Sequence, residues 1–242
     1  MKDIQIIDDG ESRERKKKFV KTYTATTSSG SSDSTDYEIF MDSLSSLEHN
    51  TAISKDTLKS ALANLEVLSH DLEYGIKLVN PKPLSQFLQF LRVHPDPTIR
   101  QSSARIIGSS LLNNPDSHSL IKRQSLLEQL ISLLETEEDN AVRASLVFTL
   151  NAATMDTEDV QELMQYRGLE ILRSVYGIGD SDVRGKCATF VEDKLLVHRS
   201  IPLIDIELSQ WCKLFQQSLI SNNLRDNLTS QKLLSSLMYQ SI

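Results

Sequence analysis

Asp96-Pro97-Thr98-Ile99-Arg100, Asp139-Asn140-Ala141-Val142-Arg143 and Asp180-Ser181-Asp182-Val183-Arg184 are copies of one pattern. An acidic residue, a two-residue spacer, a β-branched apolar residue and an arginine open an apolar stretch each time. The arginines stand 43 and 41 residues apart. A fainter copy, Asp56-Thr57-Leu58-Lys59, ends another 41 residues upstream of Arg100. Each aspartate of the three strong copies lies three residues before the β-branched residue, which is the place for an N-cap. There a carboxylate accepts from the helix's orphan N–H groups and meets its positive dipole end. Pro97 falls at the first helical position, where its missing N–H costs nothing. Ile99, Val142 and Val183 then turn inward, followed at helical spacing by Ser103, Leu146 and Cys187 and by Ile106, Thr149 and Phe190.

A helical period in the forties is the mark of stacked HEAT or armadillo repeats. The predicted fold is all-α, an armadillo/HEAT-like helical solenoid of about four repeats, with motifs near 56–62, 96–104, 139–147 and 180–188. Stacked repeats of this kind form long curved surfaces that hold other macromolecules, so the chain reads first as a binding protein. Its repeat is predicted to be a core-forming helix, a loop and a capped helix. Ile121 to Leu134 and Glu162 to Val175 supply the core-forming helices, and Glu135–Asp139 and Gly177–Asp180 supply the loops. Arg100, Arg143 and Arg184 are expected to pair with neighbouring carboxylates and lock adjacent repeats.

Around this frame, residues 1–36 read as a tail. Arg13–Lys18 is a charge run mixed with Glu14, a short match to a nuclear-localisation signal. Thr22–Asp36 is rich in Ser and Thr and offers little apolar area to offset the entropy of ordering. Helical periodicity begins at Tyr37 and carries the predicted solenoid domain through 242. Ile39, Phe40, Leu44 and Leu47 form one apolar face, and Leu58, Leu62, Leu65, Leu68 and Leu72 form the next. Pro81 and Pro83 break the chain before a short helix with Leu84, Phe87, Leu88 and Leu91. Past Leu196 the pattern changes. Ile201–Ile220 and Leu224–Leu237 read as two helices of a terminal cap over 201–240, with Trp211 and Phe215 as buried anchors.

Bulk properties narrow the function. Hydrophobic residues make up 39%, and Gly 8 and Pro 6 are few, as expected of a core one layer thick between short turns. Net charge is −7, and because residues 1–21 carry seven Lys/Arg against five Asp/Glu, the remainder stands at −9. So acidic a body is unsuited to broad nucleic-acid binding. No stretch has the ~18 apolar residues of a membrane span. The start, Met1–Asp9, is broken by charges and holds no signal-peptide core, which fits either a cytosolic protein or a chain whose leader has been removed. Cys187 and Cys212 are too few for a disulfide framework or a zinc site; Cys187 reads as a small buried thiol, with a Cys187–Cys212 bridge left open.

Catalytic patterns are thin. His49, His70, His94, His118 and His198 lack metal-ligand spacing, and no metal or cofactor is expected. Gly177-Ile178-Gly179 lacks the third glycine and preceding strand of a dinucleotide fingerprint, and Gly179-Asp180-Ser181 lies in a loop where Asp180 has a capping role. No P-loop occurs. Asn227-Leu228-Thr229 is a glycosylation sequon that would matter only in a secretory compartment. The chain is not expected to be an enzyme.

Leu65–Leu78 (LEVLSHDLEYGIKL) resembles the segment that precedes the repeats in SIL-type proteins, the BiP-associated nucleotide exchange factors of the endoplasmic reticulum. Ile99–Ser109 (IRQSSARIIGS), with Asn113 and Asn114, is similar to the matching repeat of that family and of cytosolic armadillo exchange factors. The resemblance covers roughly Tyr37 to Leu196, while the C-terminus Tyr239–Ile242 is not a retention signal. It implies a monomer that embraces one lobe of the nucleotide-binding domain of an Hsp70-class (BiP-type) chaperone, in the endoplasmic reticulum lumen or alternatively the cytoplasm. In armadillo proteins the concave lining comes from the last helix of each repeat. Here that helix presents Gln101, Arg105 and Ser109, then Phe148 and Asn151, then Thr189, Glu192 and Asp193. Phe148 is the sharpest anchor candidate, with a core position as its other reading. Two other classes remain: a scaffold gripping an extended peptide, whose Trp/Asn ladder this sequence lacks, and a structural subunit of a larger complex.

Overall fold

The computed structural model describes residues 32–48, 53–198, 201 and 204–218. Contacts divide the chain into two units, Met1–Ile39 and Phe40–Ile242. In the first, Ser32–Ile39 is helical and opens α1 (Ser32–Glu48). The last residues of the segment read as a tail are thus helical from Ser32. Extending the periodic Tyr37–Leu47 helix upstream is cheap, because propagation costs far less than nucleation. The Arg13–Lys18 run lies outside the described residues.

Three helical triplets follow in the second unit. They are α3 (Leu72–Leu78), α4 (Pro81–Val93) and α5 (Pro97–Leu111); α6 (Pro115–Ile121), α7 (Leu126–Thr136) and α8 (Asn140–Ala153); and α9 (Thr157–Gln165), α10 (Gly168–Ile178) and α11 (Ser181–Phe190). α2 (Lys55–Leu68) precedes them; a π-helical turn, Val191–Leu195, and α12 (Ile204–Ser218) follow. No strand occurs among the described residues. α2 packs on α5, and the three triplets stack in sequence behind it.

Each triplet has one more helix than the two-helix unit expected. Ile121–Leu134 is split by a 3-10 turn, Lys122–Gln124, and by Ser125 in the left-handed region at φ 48°. Glu162–Val175 is split at Arg167, φ 61°. These left-handed residues turn the chain between a short first helix and the second, at a cost of roughly 1–2 kcal/mol each. Gly168 makes the second turn possible, since a Cβ there would stand 2.6 Å from the Leu163 side chain.

Capping closes the other junctions. Asp96 accepts from the Thr98 amide at 2.9 Å, Asp139 from Val142 at 3.1 Å, and Asp180 from Asp182 and Val183 at 3.0 Å. In α2 the cap is Ser54, accepting from Thr57 at 3.1 Å, and Asp56 sits in the first turn instead. Lys55 and Lys59 reach forward to the Asp96 carboxylate at 2.8 and 2.9 Å, and they hold its pKa well below the usual range. Ile99, Val142 and Val183 are fully buried, as are Ser103, Ile106, Thr149, Cys187 and Phe190. Burial raises the Cys187 thiol's pKa, and Cys187 and Cys212 are both free thiols.

The motif arginines differ in role. Arg100 crosses to the next repeat and grips Glu137 bidentately, Nε to Oε2 at 2.9 Å and Nη2 to Oε1 at 2.8 Å, while Nη1 donates to the His94 carbonyl at 2.9 Å. Arg143 instead donates to the Glu137 backbone carbonyl at 2.8 Å and to Asn140 Oδ1 at 3.0 Å, tying down its own loop. Glu137 has already turned its carboxylate toward Arg100 and the amides of Glu138 and Asp139, so Arg143 is left its main-chain oxygen.

At the C-terminal end, α12 packs on α10. Trp211 and Phe215 are fully buried, each edge-on to Tyr176. The rest of the expected cap, including Leu224–Leu237 and the Asn227 sequon, lies outside the described residues.

Replacing Arg100 with Leu leaves the mostly buried Glu137 carboxylate without its fork and should lower unfolding free energy by about 2 kcal/mol in chemical denaturation. Burial raises the Glu137 pKa, but Arg100 and the backbone amides outweigh it and the net shift is downward. Depressed carboxyls add stability that is present above the unfolded-state pKa, near ~4, and lost as pH falls through the folded value. Stability should therefore hold from neutral pH down to about 5 and decline below about 4. In Glu137→Gln the decline should be shallower; an unchanged slope would reject Glu137 as a source.

Candidate partner-binding face

α2, α5, α8 and α11 line up side by side, α5 packing on α2 and α8, and α8 on α11. Close approach of α5 and α8 depends on small residues. Ser103, Ala104 and Gly108 are buried on α5, and the Thr149 hydroxyl of α8 lies 2.6 Å from the Ala104 carbonyl. Whatever these helices leave exposed forms a continuous strip across the repeats.

Seven of the eight positions expected there reach solvent to some degree. Arg105, Thr189 and Asp193 are exposed; Gln101, Phe148, Asn151 and Glu192 are half-buried. Ser109 is not part of the strip. It is 7% exposed, because α5 is buried continuously from Ile106 to Leu111.

The strip is wired internally from one helix to the next. Arg105 pairs with Glu66 of α2 at 2.7 Å. The Phe148 ring lies over Gly108, where an added Cβ would come within 2.6 Å of it. From the other side, Lys186 of α11 stands 5.4 Å from the Phe148 ring centroid, within cation–π range. Asn151 donates to Asp193 at 2.8 Å, reaching the π-helical turn. Thr189 donates to the Gly185 carbonyl at 3.1 Å. Phe148 is neither a full core residue nor freely exposed: its ring packs against Gly108 of α5 and the side chain is half-buried.

Three partners of this strip were missed in the sequence: Glu66, Gly108 and Lys186. Gly108 carried the best signal, since a glycine inside a helical pattern marks a close approach.

The strip offers a cation at Arg105, two carboxylates at Glu192 and Asp193, amide and hydroxyl groups and one part-covered aromatic ring. Among the described residues, no three or more His, Cys, Asp or Glu side chains are placed to hold a metal ion. Asp180 is engaged in capping, and His94 Nδ1 accepts from the Asp96 amide at 3.1 Å. None of the helices among the described residues is long and apolar enough to cross a membrane.

Three-helix repeats stacked through their third helices define an armadillo-type solenoid. The likeness extends to a designed armadillo repeat protein in complex with the peptide (KR)4, with TM-score 0.63, 14% identity and 80% of each chain covered. It extends also to the armadillo repeats only protein from Plasmodium falciparum, with TM-score 0.60, 14% identity, and 87% of this chain and 100% of that one covered. Residues 33–239 match the family model for Nucleotide exchange factor SIL1, and the chain belongs to that family. It is 29% identical over 181 residues to Nucleotide exchange factor SIL1 of Candida albicans, covering 70% of this chain and 43% of the relative. The corresponding protein of Debaryomyces hansenii is 27% identical over 143 residues, covering 57% of this chain and 34% of the relative. The chain thus spans less than half the length of these relatives.

Gly108 and Phe148 should behave as a coupled pair. Gly-to-Ala inside a helix ordinarily stabilises by about 1 kcal/mol. Here Gly108→Ala should destabilise, because the new Cβ displaces the Phe148 ring, and Phe148→Ala alone should cost about 2 kcal/mol. In the Phe148→Ala background, Gly108→Ala should become neutral or stabilising. Additive effects in a double-mutant cycle would show that the ring does not rest there.

Proposed function

We propose that this chain is the chaperone-binding armadillo region of a nucleotide exchange factor. It grips the ATPase domain of an Hsp70-class chaperone, of the BiP type in the endoplasmic reticulum lumen, and promotes ADP release. The observation that carries this is the family match over residues 33–239, which includes every helix of the strip.

The mechanism needs no covalent chemistry. A protein that binds the open form of a nucleotide cleft better than the closed form shifts the population toward open, and bound nucleotide leaves faster. The shift cannot exceed the difference in affinity for the two forms, so the gripping surface must be stiff. Stiffness is what Arg105–Glu66, Phe148–Lys186 and Asn151–Asp193 supply, the first two joining neighbouring inner helices and the third tying α8 to the π-helical turn after α11. In this reading Gln101, Arg105, Phe148, Asn151, Thr189, Glu192 and Asp193 line the chaperone contact. A peptide-gripping scaffold is less well supported, because the one tryptophan, Trp211, belongs to α12 and is fully buried against Tyr176 rather than displayed as a ladder.

The test is ADP release from a purified BiP-type ATPase domain. The chain should accelerate release, and Arg105→Glu, which also sets a like charge against Glu66, should weaken the complex by about tenfold while melting within a few degrees of wild type. Unchanged affinity in Arg105→Glu removes that residue from the site. Absence of both complex and acceleration with the wild-type chain would overturn the exchange-factor reading.

A further inference from the structure

Glycine is the poorest helix former after proline, so a glycine kept inside a helix calls for a reason. Four of the six described glycines show theirs as a close neighbour. An added Cβ would stand 3.0 Å from the Asn114 amide nitrogen at Gly75 and 2.6 Å from the Phe148 ring at Gly108. At Gly168 it would stand 2.6 Å from Leu163, and at Gly179 it would press on Val183. Gly177 has nothing within 4 Å, but it is exposed in the last turn of α10, where helices fray and a glycine costs least.

Gly185 has no such reason. It lies in the middle of α11, its φ is not positive, and an added Cβ would meet nothing within 4 Å. The residue after the motif arginine is Gln101 in α5 and Ala144 in α8, so this place in the stack accepts side chains. Gly185 opens onto the inner strip. Thr189, exposed one turn later, donates to its carbonyl at 3.1 Å, and the adjacent Lys186 is the cation over Phe148. Such a back-bond from threonine itself weakens a helix slightly. A few residues on, α11 passes into the π-helical turn Val191–Leu195, which carries Glu192 and Asp193. π-turns are rare and gather at functional sites. Departures from local rules with no compensating contact inside the chain mark functional surfaces.

We propose that Gly185 is the point of closest approach on the inner strip: a main-chain segment of the ATPase domain lies directly on α11 there, at a distance that a Cβ would block. The inference rests on the exchange-factor reading and adds to it the kind of surface that the partner presents. Without a Cβ, Gly185 lets another backbone come near. Beside it, the Lys186 ammonium can donate to a carbonyl of that segment, and the Thr189 hydroxyl oxygen can accept from one of its amides. Specificity at this point comes from bulk, because any side chain on α11 would hold the segment away from both groups.

The test compares Gly185→Ala and Gly185→Leu, two good helix formers of different bulk, in calorimetric titrations of the full chain against a purified BiP-type ATPase domain. Both variants should melt about 3 °C above wild type, since each removes a helix-weakening glycine from an open position. Affinity should nonetheless fall, about fivefold for Ala and about thirtyfold for Leu. Gly177→Ala, off the strip, should bind as wild type does. Full affinity in both Gly185 variants would overturn the proposal. Equal loss in the two would overturn it as well, by pointing to helix stiffness rather than bulk, and a lowered melting temperature would do so by revealing a packing role inside the chain. A wild-type dimer in light scattering that Gly185→Leu dissociates would assign the glycine to a second copy and reject the chaperone contact. If the wild-type chain binds no ATPase domain, the exchange-factor reading fails and this contact fails with it; if wild type binds and the variants bind equally well, the contact alone is rejected.

Discussion

The closeness of α5 and α8 governs the molecule. Two inner helices meet through serine, alanine and glycine on one side and a threonine hydroxyl on the other, which reaches the Ala104 carbonyl of the neighbouring helix at 2.6 Å. Such contact leaves no space for large side chains between them, so the bulky ones are sent down into the layer formed with α4 and α7. Ile106, Ile107, Leu146 and Leu150 are accordingly buried, while Arg105, Phe148 and Asn151 are held at the surface. A single packing constraint thus sorts the residues of each inner helix into core and display.

Electrostatics fix what packing leaves loose. The repeats are joined at one end of the inner helices by ion pairs, Lys55 and Lys59 to Asp96 and Arg100 to Glu137. The Arg100 pair matters most, since the guanidinium fork and the main-chain amides of Glu138 and Asp139 converge on one carboxylate. Two planar groups in bidentate contact constrain angle as well as distance, so this pair sets how one repeat sits on the next. Exposed pairs such as Lys77–Glu73 contribute far less.

Legibility in the sequence follows the range of the interaction. Capping is local: Asp96, Asp139 and Asp180 act on amides two or three residues away, and their recurrence carried the period and with it the fold. The breaks at Ser125 and Arg167 were hidden, because apolar periodicity runs on through both and neither left-handed residue is a glycine. On the inner face, spacing alone separated exposed from buried positions well at Arg105 and Thr189. It erred at Ser109, where a whole helical segment is covered rather than one side of it. Which side chains would meet across helices was not legible at all. Glu66 and Arg105 are 39 residues apart, and Phe148 and Lys186 are 38 apart; only the stacking of helices brings them together.

Internal wiring has a consequence for how such a face can recognise a partner. Arg105 and Asp193 each already hold a protein group, so a partner must either share those bonds or replace them. Sharing is cheap for a guanidinium, which has five N–H donors and uses few of them on Glu66. Replacement at Asn151–Asp193 would leave an amide and a carboxylate to be satisfied by the partner or by water, and an unmatched group costs roughly 1–3 kcal/mol. Preformed pairs therefore discriminate. On the proposed reading, they would admit a surface that offers acceptors to Arg105 and donors beside Asp193, and reject one that only covers them with apolar area. The aromatic ring between them is already backed by Gly108 and Lys186, so it can be engaged without first being ordered, and little conformational entropy is lost when a partner arrives.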